Sequence, residues 1–290
     1  MAQKPSPFQC VAVTAHPQLT RAANVAQEVV SFLNEQGIST IYGLLYDEAL
    51  RRKVSMGEVD LLIALGGDGT MLRAGHLCGP SGVPILGINL GRFGFLIEIE
   101  QEHWRETLPH ILQGEYRLEE RMMLCAEQWR GDERLGTWEV LNEVVVTRGE
   151  MIRPVQLTAH VDKRYLTTYV ADALIAATAT GSTAYALAAG GPILAPELRN
   201  ILLVAVAPHL SIDRAIVLAE GSSVTIIVHT DHQAALCVDG QVPIRMADGD
   251  RVEVFASEHT VKFVRYQDPG YFYRNLTVHM NQNPSTGNHR

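Results

Sequence analysis

The stretch that decides the fold is VDLLIALGGDGTMLRAGHL, residues 59–77. Its first seven residues form a short, nearly continuous apolar run, which is typical of a β-strand buried on both faces. Gly66-Gly67-Asp68-Gly69-Thr70 follows this strand directly, and residues 70–77 predict a short helix. A buried strand that leads through a glycine-rich turn into a helix indicates an α/β domain with a parallel sheet.

The sequence on either side repeats this alternation of strand and helix. Residues 8–14, 38–45 and 84–88 are apolar and predict further strands. Between the first two, Ala22, Val25, Val29 and Leu33 recur at helical spacing, and Gly37 ends the pattern. The alternation predicts a three-layer α/β, Rossmann-like domain over residues 1–100.

After about residue 115 the sequence changes to short β-prone runs at close intervals. They cover residues 118–127, 138–147, 155–161, 165–171, 202–207, 223–229, 251–256 and 260–265. Within this part only the stretch after Thr183 looks helical. We therefore expect an antiparallel β-sandwich domain over residues 101–265 that carries one inserted helix. Residues 266–280 should pack back on the first domain, and the polar tail 281–290 should be disordered.

The composition of the 290-residue chain excludes several classes of protein. The formal net charge is −8, whereas general nucleic-acid binding requires a basic face. The longest uncharged stretch, residues 173–196, contains Gly, Pro, Ser and Thr, and so does not predict a membrane helix. The four cysteines lie far apart and the N-terminus shows no apolar signal segment, so we expect a cytoplasmic protein with reduced thiols.

The turn at residues 66–70 has the chemistry of a phosphate site. Its glycines let a bulky anion approach the main-chain N–H groups, and a helix N-terminus adds a partial positive charge. Thr70 is a candidate N-cap. Asp68 does not fit a passive cradle, because a carboxylate repels phosphate; it fits a base for a hydroxyl group or a metal-ion partner. The alternative is a tight structural turn with a capping aspartate.

Three further clusters carry glycines or polar groups. Residues 87–96, GINLGRFGFL, contain Arg92 and otherwise indicate a loop between the domains. Asn142 and Glu143 are adjacent in a predicted strand, so their side chains point to opposite faces. One of them then needs buried partners, unless a bulge or an edge lies there. Residues 180–183, TGST, offer hydroxyl and N–H groups before a helix that begins near Ala184, and suit an anion or a ribose hydroxyl.

Together, in this order and at this spacing, these motifs resemble those of the bacterial-type NAD kinase (ATP-NAD kinase) family. They are GGDGT at 66–70, GINLGRFGFL at 87–96, LNEVVVTRG at 141–149, and TGSTAY followed by GGPI at 180–193. The resemblance covers the chain from Phe8 to Tyr273. Because lipid kinases and phosphofructokinases also carry GGDGT or a close variant, the specific signal is its combination with Asn142-Glu143 and TGSTAY.

The resemblance implies that the chain transfers a phosphoryl group from ATP to the 2′-hydroxyl of the adenosine ribose of NAD, which yields NADP. Asp68 would be the general base. Residues 101–265 would bind NAD, with contacts implied for Asp68, Gly69, Asn142, Glu143, Arg153, Asp172, Thr180, Thr183, Ala184, Tyr185, Ala188, Ala207 and Gln241. Contacts with the ATP phosphates are implied for Gly66, Gly67, Gly69, Thr70 and Arg73. The resemblance further implies Mg²⁺ or another divalent cation that enters with ATP, without protein side chains as its assigned ligands, and a homodimer or homotetramer.

The sequence departs from the usual family pattern at a few positions. Ala179 stands where the family has Pro, and Ala186 and Ala188 replace two serines, so a hydroxyl contact at position 188 is lost. Two other functions stay open on the sequence alone. One is a lipid or sugar kinase that shares GGDGT, and the other is a non-catalytic dinucleotide-binding regulator.

Overall fold

A computed structural model describes residues 6–90, 94–209 and 212–281. The chain forms two compact units: the first takes in the chain up to Glu120 and again from Val261 onward, and the second is Arg121–Thr260. The predicted disordered tail, apart from Asn281, lies outside the described residues, as does Arg92 with its two neighbours.

Strands outnumber helices in the part of the chain that the structure describes. The strands are β1 (Cys10–Ala15), β2 (Ser39–Tyr42), β3 (Leu61–Gly66), β4 (Ile85–Asn89), β5 (Ile99–Glu100), β6 (Arg117–Arg130), β7 (Glu133–Val140), β8 (Glu143–Arg148), β9 (Val155–Val161), β10 (Arg164–Ala171), β11 (Ala173–Ala177), β12 (Ile201–Val206), β13 (Ile216–Leu218), β14 (Val224–His229), β15 (Ala234–Val238), β16 (Ile244–Met246) and β17 (Arg251–Arg265). The helices are α1 (Thr20–Glu35), α2 (Glu48–Ser55), α3 (Asp68–Cys78), α4 (Trp104–Leu112), α5 (Tyr185–Ala188) and α6 (Tyr271–Asn281), and Gly181–Thr183 forms one 3-10 turn.

The first unit is the predicted three-layer α/β domain. Strands β2, β1, β3 and β4 lie side by side in that order and all run parallel. On one face Ile63 packs with Val29 of α1 and Ile111 of α4 in a single apolar cluster. On the other face Met71 of α3 lies so close to Gly87 of β4 that a Cβ there would approach its sulfur to 2.8 Å. Helices therefore cover both faces of a parallel sheet, which confirms the prediction.

The second unit is the predicted antiparallel sandwich. One sheet has the strand order β13-β12-β11-β8-β15-β16, and every pairing in it is antiparallel. Strands β10, β9, β14 and β17 form antiparallel pairs in the other sheet, to which β6 and β7 also belong. Val144 and Val146 of the first sheet share one buried apolar cluster with Leu157 and Ile226 of the second. This shared core is what defines a sandwich.

Several element boundaries differ from the predicted ones. The run 138–147 is two strands, because β7 ends at Val140 and β8 begins at Glu143. The runs 251–256 and 260–265 are one strand, β17. The alternation of buried and exposed residues shifts by one position between Val254 and Ser257, but the strand continues. The predicted inserted helix is a single turn, α5, and a full helix, α6, follows where none was predicted.

Two strands are shared between the units. The division between the two units falls within β6 and within β17, so each of these strands contributes residues to both units. Among the residues that the structure describes, no helix combines the length and the apolar character that a membrane crossing requires.

Candidate functional site

The glycine-rich turn joins β3 to α3 in the first unit. Gly66 ends the strand, Gly67 is the N-cap, and α3 begins at Asp68. The prediction that Thr70 is the N-cap is therefore wrong. The Thr70 side chain is buried against Gly66, where a Cβ would collide with the Thr70 hydroxyl. Its N–H donates to the Gly67 carbonyl (2.8 Å), so glycine at position 66 makes room for this tight turn.

The Asp68 carboxylate is half-buried and is held by the main chain of residues 95 and 96. The N–H of Phe95 donates to its Oδ2 (2.8 Å), and the N–H of Leu96 donates to its Oδ1 (3.1 Å). A Cβ on Gly94 would collide with the carboxylate, so only glycine permits this close approach. Asp68 is thus oriented by the segment after β4 rather than serving as a cap of α3. Each oxygen of an ionised carboxylate retains a second lone pair for another hydrogen.

A buried ion pair supports the segment that holds Asp68. Arg265 is 3% exposed, and its Nη1 donates to the Leu96 carbonyl (2.8 Å). Its Nε and Nη2 both donate to Oε1 of Glu119, at 3.1 Å and 2.9 Å. The same residue, Leu96, therefore receives a hydrogen bond from Arg265 and gives one to Asp68, which links a buried charge pair to the candidate base.

A small cavity opens at the carboxyl ends of β1 and β2, where ligands of parallel sheets usually bind. Its volume is about 330 Å³, and His16, Tyr42 and Asp47 are among its lining residues. The N–H of His16 donates to the carbonyl of Leu65 (2.9 Å), one residue before Gly66, so the cavity adjoins the glycine-rich turn. Its described lining includes one carboxylate and no Lys or Arg.

In the second unit, Asn142 and Glu143 lie at the break between β7 and β8. Both Asp239 oxygens accept main-chain hydrogen bonds there: Oδ2 from the N–H of Leu141 (2.7 Å), and Oδ1 from those of Asn142 (2.7 Å) and Glu143 (2.9 Å). The N–H of Asp239 in turn donates to the Glu143 carbonyl (3.0 Å). This reciprocal contact joins the start of β8 to the end of β15.

Glu143 is the buried member of the pair. It begins the central strand β8, at neither an edge nor a bulge, directly across from Ala177 of β11. Its side chain is on the same face as that of Val145, two residues on, away from the core between the sheets. Glu143 is only 7% exposed, and its Oε2 has no hydrogen-bond partner among the described residues. Burial, and secondly the charge of Asp239, raise the pKa of this carboxyl from 4.5 to about 8.

The TGST segment packs against the same break. Thr178 donates its hydroxyl to the Leu141 carbonyl (2.6 Å) and accepts the N–H of Gly181 (3.0 Å). A Cβ on Gly181 would collide with the carbonyl oxygen of Asn142. The hydroxyl of Thr180 accepts a hydrogen bond from Nη1 of the buried Arg121 (3.1 Å). The structure therefore brings Asn142, Glu143 and this segment together, as one site requires.

The structure places the other residues of the predicted set as follows. In the first unit, Gly69 is exposed at the start of α3 and Arg73 is exposed one turn further on. In the second unit, Thr183 and Ala184 precede α5, whose Tyr185 and Ala188 are exposed, and Asp172 accepts a hydrogen bond from Nε of Arg148 (3.1 Å). Arg153 is exposed between β8 and β9, Ala207 follows β12 with φ +46°, and Gln241 is exposed in the turn after β15. Their contacts with a nucleotide stay predictions.

The sequence did not single out three residues that build this site: Thr178, Arg121 and Asp239. Each acts through a partner that is 37, 59 or up to 98 residues away in the chain. The Asp239-Gly240 pair was a local signal, because Asp-Gly favours a tight turn between strands. Nothing local indicates that its carboxylate turns inward.

Metal binding by the protein alone has no support in the described residues, which contain no group of three or more His, Cys, Asp or Glu side chains placed to hold an ion.

Comparison with known proteins extends over most of the chain. Residues 20–116 match the family model of the ATP-NAD kinase N-terminal domain, and residues 141–266 match that of the ATP-NAD kinase C-terminal domain. An NAD kinase of Chloroflexus aurantiacus is 39% identical over 270 residues, which are 93% of this chain and 98% of that protein. An NAD kinase of Moorella thermoacetica is 37% identical over 272 residues, or 91% and 87% of the two chains.

Solved structures agree in fold. A yeast NADH kinase complexed with NADH superposes with a TM-score of 0.83 at 24% identity, covering 97% of this chain and 89% of the other. An NAD kinase from Archaeoglobus fulgidus in complex with ATP gives a TM-score of 0.75 at 24% identity and covers 94% and 98%.

Proposed function

The chain belongs to the ATP-NAD kinase family, and from this premise we propose that it makes NADP from NAD and ATP. The acceptor is the 2′-hydroxyl of the adenosine ribose. The observation that carries the proposal is the Asp68 carboxylate, which two main-chain N–H groups orient at the start of a helix behind a glycine-rich turn. This is a turn suited to phosphate that also contains a fixed base.

The proposed reaction is a direct phosphoryl transfer. Asp68 accepts the proton of the ribose 2′-hydroxyl while the 2′-oxygen forms a bond to the γ-phosphorus of ATP. The bond between that phosphorus and the oxygen that bridges to the β-phosphate breaks, and ADP is released. The main chain at Gly66, Gly67 and Gly69, with the N-terminus of α3, stabilises the phosphate charge, and Arg73 adds a positive charge one turn further on.

We assign NAD binding to the second unit. The buried Glu143 oxygen without a partner is the kind of group that a ligand satisfies, since buried polar atoms are rarely left unpaired. Asn142 and Glu143 hold the adenosine, Thr180 and Thr183 offer hydroxyl groups, and the exposed ring of Tyr185 stacks on a base. Asp172 lies toward the nicotinamide end.

The nucleoside part of ATP fits the cavity beside β1 and β2. The cavity adjoins the glycine-rich turn, and its single carboxylate, Asp47, disfavours a triphosphate but accepts hydrogen bonds from a ribose or an amino group. A divalent cation arrives with the ATP phosphates as part of the substrate.

The test is a matrix of phosphoryl donors and acceptors. The pure protein is incubated with ATP or inorganic polyphosphate and with NAD, NADH, diacylglycerol or fructose 6-phosphate, with Mg²⁺ or with a chelator. NADP is read with an NADP-specific dehydrogenase against a heat-inactivated control. We expect product from NAD that requires the cation. Transfer only to the lipid or the sugar would favour the alternative kinases, and tight NADP binding without turnover would favour a regulator.

The family resemblance also supports a homodimer or homotetramer, which we propose as the active form. Mass photometry across the concentration range of the assay should show no dominant species at the monomer mass of 31.9 kDa. A fully active monomer would refute this part of the proposal.

A further inference from the structure

Asp239 lies in a tight turn, yet its side chain is buried. The sequence Val238-Asp239-Gly240-Gln241 forms a tight turn closed by the N–H of Gln241 and the carbonyl of Val238 (2.9 Å). Asp239 and Gly240 both have positive φ, +47° and +67°, as a type I′ turn requires. Side chains at such turn positions usually point to solvent, yet Asp239 is only 7% exposed.

The inward carboxylate organises the neighbouring strand. It accepts the N–H groups of three consecutive residues, Leu141, Asn142 and Glu143, at the point where β7 gives way to β8. Three consecutive N–H groups that donate to one carboxylate fix the local main chain. They therefore also fix the position and direction of the Cα–Cβ bonds of Asn142 and Glu143.

We propose that Asp239 is a positioning residue for the nucleotide, which sets both the placement of Asn142 and Glu143 and the protonation state in which Glu143 meets NAD. The proposal rests on the proposed function, because it assumes that Glu143 contacts NAD.

The charge of Asp239 also acts on Glu143. An Asn could accept the N–H groups of Asn142 and Glu143 through its one oxygen but would turn its NH2 group toward the N–H of Leu141. A carboxylate accepts all three and also adds like-charge repulsion next to the buried Glu143. That repulsion adds to burial in raising the pKa of Glu143 to about 8. The other titratable group that faces Glu143 is the Cys237 thiol of β15, while β11 places the uncharged Ala177 opposite. At neutral pH Glu143 is therefore mostly protonated, and offers an O–H group rather than a negative charge to a dinucleotide that is itself anionic.

The test compares the pH dependence of KM for NAD in the wild type, Asp239→Asn, and the control Asp231→Asn. The control removes the same charge from an exposed position before β15. In the wild type, KM should rise as the pH passes about 8 and Glu143 ionises. Asp239→Asn keeps the shape of the side chain and removes its charge, so the rise should begin at a lower pH than in the wild type. The kcat and the KM for ATP should change less than about threefold, because Asp68 and the ATP site are unaltered.

A second variant keeps the proposal testable if Asp239→Asn does not fold. Glu143→Gln imitates the protonated carboxyl and removes the titrating group, so its KM for NAD should show no rise as the pH passes 8, whatever its value at pH 7. An unshifted profile in a folded Asp239→Asn protein, or a KM for NAD that still rises above pH 8 in Glu143→Gln, would overturn the inference. Absence of NADP formation by the wild type would instead reject the proposed function.

Discussion

At the scale of single residues, each unit contributes one carboxyl group to the proposed function, and the two groups lie in different surroundings. Asp68 is half-buried and held by two N–H groups, which suits an ionised base. Glu143 is buried, has a raised pKa and has one oxygen without a partner among the described residues, which suits a neutral group that binds ligand. Carboxyl groups whose environments differ in this way commonly take different roles in one reaction.

The raised pKa of Glu143 predicts how stability varies with pH. Because its pKa is higher in the folded state than in the unfolded chain, the folded protein binds more protons between about pH 4.5 and 8. The contribution of Glu143 to stability is therefore full below pH 4.5 and is lost as the pH rises toward 8. The unfolding free energy of the wild type minus that of Glu143→Gln should therefore decrease by a few kcal/mol as the pH rises across this window.

Urea unfolding of both proteins without nucleotide, at intervals from pH 4.5 to 9, measures this difference. A difference that stays constant over the whole range would show that Glu143 titrates normally.

The sequence allowed the Asn142-Glu143 pair to be predicted, including that one member would be buried. It did not allow their supports to be predicted, because Asp239 meets Leu141 across 98 residues of chain and Thr178 meets it across 37. Such contacts depend on strand register in the folded sheet, and a single sequence does not encode register locally.

At the scale of elements, the start of β8 is fitted closely to the TGST segment. Gly181 lies against the Asn142 carbonyl with no room for a Cβ. The two segments carry neighbouring parts of the proposed NAD site, so a change at this contact acts on both.

Gly181→Ala should therefore destabilise the protein by about 1–3 kcal/mol and also raise the KM for NAD, because the added methyl group must displace Asn142. The control is Gly82→Ala, in which φ is +68° and the nearest atom to a new Cβ is Lys262 Nζ at 3.9 Å. That variant should cost about 1 kcal/mol in backbone strain and leave the KM for NAD unchanged. Thermal unfolding and steady-state kinetics measure both effects. Equal KM values in the two variants would disprove the proposed contact.

Elements with a clear period were predicted well, and those that depend on context were not. The alternation through β1, α1, β3 and α3 was sufficient to predict the α/β class of the first unit. Helices α2 and α4 were not predicted, and residues 101–120, which were expected in the second domain, belong to the first unit. Strand β11 (ALIAA) was missed because alanine is a poor strand former, and its place between β8 and β12 is set by sheet pairing. The one-turn helix α5 was overestimated, because Gly190 and Gly191 end it early.

At the scale of the whole molecule, β6 and β17 both cross the division between the units, and their first-unit ends carry Glu119 and Arg265. Both side chains of this pair are almost fully buried. The pair belongs to a network, because Arg117 also contacts Glu119 (3.2 Å), and removing Arg265 takes the most buried positive charge out of it, which is costly.

Arg265→Met should lower the free energy of unfolding by up to about 3–5 kcal/mol, because the buried Glu98 and Glu119 lose their buried partner and keep the more exposed Arg117. The control is Arg134→Met, whose pairing with Glu127 involves a side chain that is 54% exposed, and which should cost less than about 1 kcal/mol. Chemical denaturation of the two variants provides the comparison. A similar small loss in both would mean that the buried pair contributes little.

The central claim is that Asp68 accepts the proton of the ribose hydroxyl while NADP is formed, and a single-turnover comparison of wild type with Asp68→Asn tests it most directly. With enzyme in excess over NAD and saturating ATP and Mg²⁺, quenched samples give the rate of NADP formation. An amide retains a similar shape but is a much weaker base, so the rate should fall by about 10²–10⁴-fold at enzyme concentrations that saturate NAD binding, in a protein that still unfolds cooperatively. NADP formation at the wild-type rate in Asp68→Asn would contradict the account.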